Sequence, residues 1–350
     1  MQVMVAMSGG VDSSVTAALC QQAGHEVVGV TLKLWGGESD RGCCSVADVD
    51  DARRVADQLG IDHHVFNYSE QFDAAVVSPY LRSHELGLTP NPCIECNRAI
   101  KFDALHQRAL ALGFDAVATG HHARIVTRAD GSRRLRRGAD EAKDQSYVLY
   151  MIGEQVLAST MFPVGDLDKG EVRRLAGELG LRTAVKPDSQ DVCFIAGERS
   201  RARETFLGDR IGLRPARVLD ATGDEVGRVP AIELITIGQR KGLGLGGGAA
   251  PRYVVDIDHR AGVVTVGERA DLLTDTVTLQ DFAPSERSWQ GAVLAQCSAH
   301  GEPQPAVLNG MVLRWDQPTK RVAPGQSVVF YDPAAPDEVI GGAMAAAVGA

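Results

Sequence analysis

The chain has 350 residues, 44% of them hydrophobic and 23% charged, with a formal net charge of −9. At about 150 residues per domain this length predicts two to three domains, and it can bury a core without disulfide or metal support. No run of about 18 apolar residues occurs, so a membrane span is not expected. The acidic balance counts against a general nucleic-acid binder.

Met1 to Gly10 has no basic region and no small-residue cleavage site, so no secretory signal is expected. Seven cysteines, an odd number in a long chain, argue against a secreted disulfide framework. They point to a reducing compartment, the cytoplasm, and to reactive or metal-binding thiols.

In chain order, Val3 to Met7 reads as a buried strand and Val15 to Ala23 as a helix ending near Gly24. Val27 to Leu34 is a second β-branched run, Asp48 to Leu59 a helix stopping at Gly60, and His64 to Asn67 a short strand. Ala99 to Leu112 is helical, and Asp115 to Thr119 is a strand ending in Gly120. Alternating strands and helices predict a parallel sheet covered by helices.

Beyond about Ala196 the apolar runs shorten and Gly and Pro become frequent. Arg217 to Leu219, Tyr253 to Asp258, Val263 to Val266, Val277 to Leu279 and Val328 to Tyr331 read as strands of two β modules. Gly242 to Gly248 reads as a loop or hinge, and Gly341 to Ala350 as a last strand with a frayed end.

Two local charge runs stand against the global acidity. One carries Arg124, Arg128, Arg133, Arg134, Arg136, Arg137 and Lys143, and the other is the arginine-rich Arg199 to Arg217. Each is either a solvated surface or a patch for a polyanion.

Ser8-Gly9-Gly10-Val11-Asp12-Ser13-Ser14 lies between the first strand and the first helix. Two glycines allow a sharp turn and a close approach of backbone to an anion. Two serines add hydroxyl donors, and the helix start adds free N–H groups and a positive dipole end. The loop suits a phosphate or pyrophosphate and is not a Walker loop, since the Gly-Lys-Ser/Thr ending is absent. It resembles the fingerprint of the PP-loop ATP pyrophosphatases, which cleave ATP between the α and β phosphates and adenylate a substrate oxygen.

Among the thiols, Cys20 and Cys297 sit in apolar patterns and read as packing residues. Adjacent Cys43 and Cys44 have no assigned role. Cys93-Ile94-Glu95-Cys96 is a lone Cys-x-x-Cys, a spacing shared by zinc, redox and nucleophilic sites. Cys96 precedes the predicted helix from Asn97, whose dipole would favour a thiolate.

Taken together, several motifs resemble the bacterial tRNA-specific 2-thiouridylases over nearly the whole chain. They are the glycine loop, Asn91-Pro92-x-x-x-Cys96-Asn97-x-x-Ile100-Lys101-Phe102, Thr119-Gly120-His121-His122, Lys143-Asp144-Gln145-Ser146-Tyr147 and Asp188-Ser189-Gln190-Asp191-Val192-Cys193-Phe194-Ile195. Ile237-Gly238-Gln239-Arg240-Lys241-Gly242 and Pro324-Gly325-Gln326 match as well. The resemblance implies an α/β fold with an N-terminal doubly wound parallel-sheet PP-loop domain (1–197), a small central domain (198–268) and a C-terminal β-barrel (269–350).

It also implies an ATP-dependent sulfurtransferase acting at C2 of the wobble uridine of lysine, glutamate and glutamine tRNAs. By motif position ATP would lie on Ala6, Met7, Ser8, Gly9, Gly10, Val11, Asp12, Ser13, Leu32 and Gly120, with Asp12 holding Mg²⁺. Cys193 would carry a persulfide, and Cys96 would be the nucleophile that forms a transient disulfide with it. Asn91, Pro92, Cys93, His121, Lys143, Asp144, Gln145 and Gln326 would contact tRNA. The implied partners are tRNA and a cysteine desulfurase or sulfur-relay protein, with no membrane, and the implied state is a monomer.

Three departures from the family pattern stand out. Many members carry Asp where this chain has Cys93, which leaves the general base open. Ser298 stands where an Arg is frequent, and Leu32 replaces a common Met at conserved volume. Cys93 also opens a second route, in which Cys93, Cys96 and Cys193 hold an iron–sulfur cluster whose free iron carries sulfide; a structural zinc is the third. The rivals for function are another PP-loop ligase or amidotransferase, and a nucleotide-binding RNA or iron–sulfur module without catalysis.

Overall fold

The computed structural model describes residues 1–35, 45–188, 192–195, 199–246, 251–284 and 289–347. Cys43, Cys44, Ser189 to Asp191 and the end of the Gly242 to Gly248 run lie outside the described residues. The chain forms two compact units, neither contiguous in sequence. One comprises 1–77, 92–196 and 334–341, the other 78–91, 197–333 and 342–350. Among the described residues no helix is long and apolar enough to cross a membrane.

The first unit is built on strands β1 (Gln2–Ala6), β2 (Glu26–Lys33), β3 (Asp62–Asn67) and β4 (Ala116–Thr119). The hairpin strands β5 (Ala123–Thr127) and β6 (Arg133–Arg137) follow, and then β7 (Thr160–Met161). The main sheet has the order β3-β2-β1-β4-β7, and every pairing in it is parallel. Val3, Met4 and Val5 of β1 are buried on both faces, which is why the strand reads as continuous apolar sequence rather than an alternation.

Helix α1 (Val11–Gln22) buries small residues around most of its circumference, from Ser13 and Ser14 to Ala17, Ala18 and Cys20. Small side chains let it lie close to the sheet. Helix α2 (Val46–Leu59) opens with a Ser45–Asp48 capping box and closes at Gly60 in the left-handed conformation. It buries only Ala52, Val55 and Ala56, as an amphipathic surface helix does. Strand order runs outward from β1 in both directions, so β1 and β4 flank the topological switch point. In open parallel sheets ligands bind beyond the carboxyl ends of the strands at that point. Ala6 pairs with Thr119 there, which brings the Ser8–Ser14 loop and Gly120 to the same end of the sheet.

In the second unit, β8 (Ala216–Leu219), β9 (Glu225–Val229), β10 (Tyr253–Asp258) and β11 (Val263–Gly267) form a sheet of order β10-β11-β8-β9. Its core is Val218, Val229, Ile232, Val254, Val264 and Val266. Then come β12 (Leu273–Ala283), β13 (Gly291–Gln296), β14 (Gln304–Asn309), β15 (Val312–Lys320), β16 (Ser327–Asp332) and β17 (Ala335–Ala345), of which residues 342–345 fall in this unit. These pair in the order β12-β15-β14-β13-β16-β17, and β17 returns to β12 to close an antiparallel barrel. Closure removes the exposed edges of an open sheet. Residues 78–91 belong to this unit, with Thr89 N donating to Pro324 O at 2.7 Å.

Candidate active site

The site grows from the turn after β1. Gly9 has φ +73°, and a Cβ there would lie 2.3 Å from the carbonyl oxygen of Asp48 in α2. Only glycine fits this conformation and this gap. Gly10 starts α1 without any side-chain cap, so the first-turn amides are left for another acceptor. Ser13 Oγ accepts from Ser8 N at 3.2 Å and donates to Gly10 O at 3.1 Å, which fixes the loop from within. Gly120 closes it from the β4 side, since a Cβ there would lie 2.7 Å from Ser13 N. Met7, Val11 and Leu32 are buried beneath the loop's ends and Ala6 is half-buried.

Asp12 is the loop's one carboxylate. Lys169 Nζ donates to both its oxygens, at 2.6 and 2.7 Å, and His122 Nε2 lies 3.2 Å away. Burial alone would raise the Asp12 pKa, but the hydrogen bonds from His122 and Lys169 outweigh it and hold the carboxyl below its usual range. As placed, Asp12 is engaged by lysine, a different arrangement from the free Mg²⁺ ligand expected of it.

Lys169 also reaches Asp188 at 3.0 Å, and Lys143 and Arg173 meet the same carboxylate at 2.8 Å each. Burial pushes the Asp188 pKa up, yet the Lys143 and Lys169 hydrogen bonds bring it down to about 2. Lys169, Arg173, Asp188 and His122 are the functional candidates that sequence reasoning passed over as site residues. The available signal was the Asp168–Glu171 capping box, which places Lys169 and Arg173 one turn apart on a single helix face.

Several residues expected at tRNA are buried or hydrogen-bonded within the first unit. His121 is only 8% exposed, with Nδ1 2.7 Å from Thr119 Oγ1 and Nε2 3.5 Å from Lys101 Nζ. Burial holds its pKa well below the ordinary value. Asp144 is buried and accepts from Gly138 N, Ser146 N and Ser146 Oγ at 2.8 to 3.0 Å, which shapes its loop. Gln145 clamps His122, accepting from its N–H and donating to its carbonyl at 2.9 Å each. Gln326 lies in the second unit in the turn at Gly325, and Asn91 ends that unit's 78–91 segment.

The basic run from Arg124 to Lys143 is largely the β5–β6 hairpin, and its charges are paired. Arg124 and Arg136 meet Asp337, Arg128 meets Glu338 and Arg134 meets Glu154. It is a structural ion-pair network rather than a bare phosphate track. The second run pairs in part as well: Arg214 Nε donates to the buried Glu233 at 2.8 Å, and Arg210 lies over the Phe206 ring.

The helix carrying the Cys-x-x-Cys starts at Pro92, earlier than expected, with proline at a position where its missing N–H costs nothing. Cys93 therefore occupies the first turn, and Cys96 lies a turn further in, at the start of a π-helical stretch (Cys96–Ala104). Cys96 thus lies beyond the reach of the dipole expected to favour its thiolate, because that effect fades beyond the first turn. Cys96 is buried, while Cys93 and Cys193 are half-buried. Cys193 precedes Phe194, whose ring packs edge-on to Phe72 at 5.7 Å and tilted on Trp35 at 6.2 Å. Among the described residues no three His, Cys, Asp or Glu side chains are grouped to hold a metal ion. Cys93, Cys96 and Cys193 as placed do not fit a cluster. Cys20 lies in the core and Cys297 in the second unit, and burial pushes their thiols up to about 11 and about 12.

Family models match three stretches of the chain. A model described as tRNA methyl transferase HUP domain matches residues 1–197, tRNA methyl transferase PRC-barrel domain 204–268, and Aminomethyltransferase beta-barrel domain 287–345. The chain is 46% identical over 370 residues to the tRNA-specific 2-thiouridylase MnmA of Roseiflexus castenholzii, covering 97% of this chain and 98% of that one. It is 47% identical over 362 residues to the protein of the same name from Mycolicibacterium gilvum, with 98% of each chain covered. For that of Corynebacterium glutamicum (strain R) the identity is 44% over 357 residues, with 97% of each covered. Identity of 44–47% over 97–98% of the chain and of each relative reflects common descent: the chain belongs to the tRNA-specific 2-thiouridylase family.

Proposed function

We propose that the protein uses ATP to adenylate the C2 oxygen of the wobble uridine in tRNA and replaces that oxygen with sulfur from a protein persulfide. The observation that carries the reading is the uncapped, glycine-bounded start of α1 at the switch point of the parallel sheet. Full-length membership of the 2-thiouridylase family supports tRNA among the substrates of such loops.

A uridine carbonyl oxygen is a poor leaving group. In the proposed first step the C2 oxygen attacks the α-phosphate of ATP and pyrophosphate departs. Splitting one hard displacement into two easier ones is the purpose of such an intermediate. In the second step the terminal sulfur of the Cys193 persulfide attacks C2 and AMP leaves with the original oxygen. Cys96 thiolate then attacks the Cys193 sulfur, forming a Cys96–Cys193 disulfide and leaving the sulfur on C2. A dithiol reductant resets the pair. Mg²⁺ would enter with the triphosphate and offset its charge.

A cysteine desulfurase or relay protein supplies the sulfur, and the lysine, glutamate and glutamine tRNAs are the acceptors. Asn91, Pro92 and Cys93 face the everted base, which leaves its stack at a cost of a few kcal/mol. The domain reading is 1–197, 198–268 and 269–350, acting as a monomer in the cytoplasm. The test is 2-thiouridine formation on wobble-uridine tRNA with ATP and a persulfide donor. Cys193→Ser and Cys96→Ser should each abolish it while tRNA-dependent pyrophosphate release persists. Another PP-loop ligase would be indifferent to both changes.

A further inference from the structure

Three cations converge on one carboxylate beside the glycine loop. Asp188 Oδ1 accepts from Lys169 Nζ at 3.0 Å and from Arg173 Nη2 at 2.8 Å, and Oδ2 accepts from Lys143 Nζ at 2.8 Å. Lys169 is held in place independently by both oxygens of Asp12, within the loop itself. Arg173 is held independently by the carbonyls of Ala184 and Lys186, at 2.8 and 3.1 Å. Both cations are therefore anchored without Asp188. Asp188 itself is about one-third exposed, so its carboxylate can turn to water if another anion takes its donors. Charge-assisted donors of this kind recognise a phosphate oxygen as readily as a carboxylate.

We propose that Lys143, Lys169 and Arg173 form the receptor for the pyrophosphate end of the nucleotide, and that Asp188 is a resident anion which the triphosphate displaces. The inference rests on the nucleotide reading of the Ser8–Ser14 loop and extends it to residues outside that loop. It also moves Lys143 from the RNA to the nucleotide. A resident competitor scales apparent ligand affinity down to the fraction of molecules in which the site stands free. Neutralising it should therefore tighten binding, which a residue that merely supports the fold would not do.

The experiment measures binding of inorganic pyrophosphate with Mg²⁺ by calorimetry, and binding of wobble-uridine tRNA by filter retention. The proteins are the full-length chain and its Asp188→Asn, Asp188→Glu and Lys169→Met variants. Asp188→Asn should bind pyrophosphate about tenfold more tightly than the parent. Asp188→Glu, which keeps the charge, should stay near the parent value, and Lys169→Met should lose about tenfold or more, with tRNA affinity unchanged in all three. Unchanged or weaker pyrophosphate binding by Asp188→Asn overturns the resident-anion proposal. Loss of tRNA affinity with pyrophosphate binding intact in Lys169→Met assigns the cations to RNA and also overturns it. A parent protein that binds neither ATP nor pyrophosphate contradicts the nucleotide reading itself.

Discussion

At the scale of single residues, burial decides which titratable groups are charged. His84 lies in the second unit, 4% exposed, edge-on to Tyr80 at 4.6 Å, with Nδ1 3.1 Å from the carbonyl of Glu233 and Nε2 without a partner. Burial first, and then the Arg203 charge, push its pKa from 6.5 down to about 4. The folded protein keeps the ring neutral where the unfolded chain would protonate it. His84 therefore contributes no pH-dependent loss above pH 6.5. Stability falls as the pH drops from there to about 4 and levels off below, by about 3 kcal/mol in total. Thermal melting of the parent between pH 7 and pH 4 should show this decline. His84→Gln, which can still bond to Glu233 O and does not titrate in this range, should show a smaller one. Parallel declines in the two proteins would contradict the assignment.

At the scale of elements, the β5–β6 hairpin turns a conspicuous charge run into a structural part. Arg128 Nε donates to Glu338 at 2.9 Å, and Arg136 pairs with Asp337. Each Arg that neutralises an RNA phosphate adds nearly one to the slope of log affinity against log salt. Arg128→Gln should leave that slope for tRNA unchanged and lower the melting temperature by a few degrees, since it strands Glu338. A slope smaller by about one unit would place Arg128 on the RNA instead.

The glycine loop was legible because its chemistry is local: strand, two glycines, serines and helix lie within one short stretch. The ion-pair hub was not, because Lys169 and Asp12 are 157 residues apart and only the folded sheet brings them together. The burial of His121 was not legible either, because a histidine beside Gly120 reads the same whether it faces solvent or is packed between Phe102 and Phe162. The ion pairs of Arg124, Arg128 and Arg136 were not legible because their partners, Asp337 and Glu338, come from the far end of the chain.

At the scale of the whole molecule, a chain of net charge −9 has to bind a polyanion through local contacts rather than through its overall field. On the proposed reading the lysines and arginine around Asp12 and Asp188 would meet that need for the nucleotide, and the first unit holds this hub together with Cys93, Cys96 and Cys193. The second unit contributes a small β sheet and a closed barrel, whose pairing uses up the strand edges. Discontinuity of the units was invisible in the sequence, since 78–91 and 334–341 carry no composition signal that separates them from their neighbours.

The central claim is that the C2 oxygen of the uridine leaves on AMP, and isotope transfer tests it most directly. Transfer RNA carrying ¹⁸O at C2 of the wobble uridine would be thiolated with unlabelled ATP and a persulfide donor, and the AMP weighed by mass spectrometry. Adenylation of the C2 oxygen puts one ¹⁸O in AMP for each 2-thiouridine formed and none in pyrophosphate. Unlabelled AMP, with the heavy oxygen in water or pyrophosphate, would contradict it.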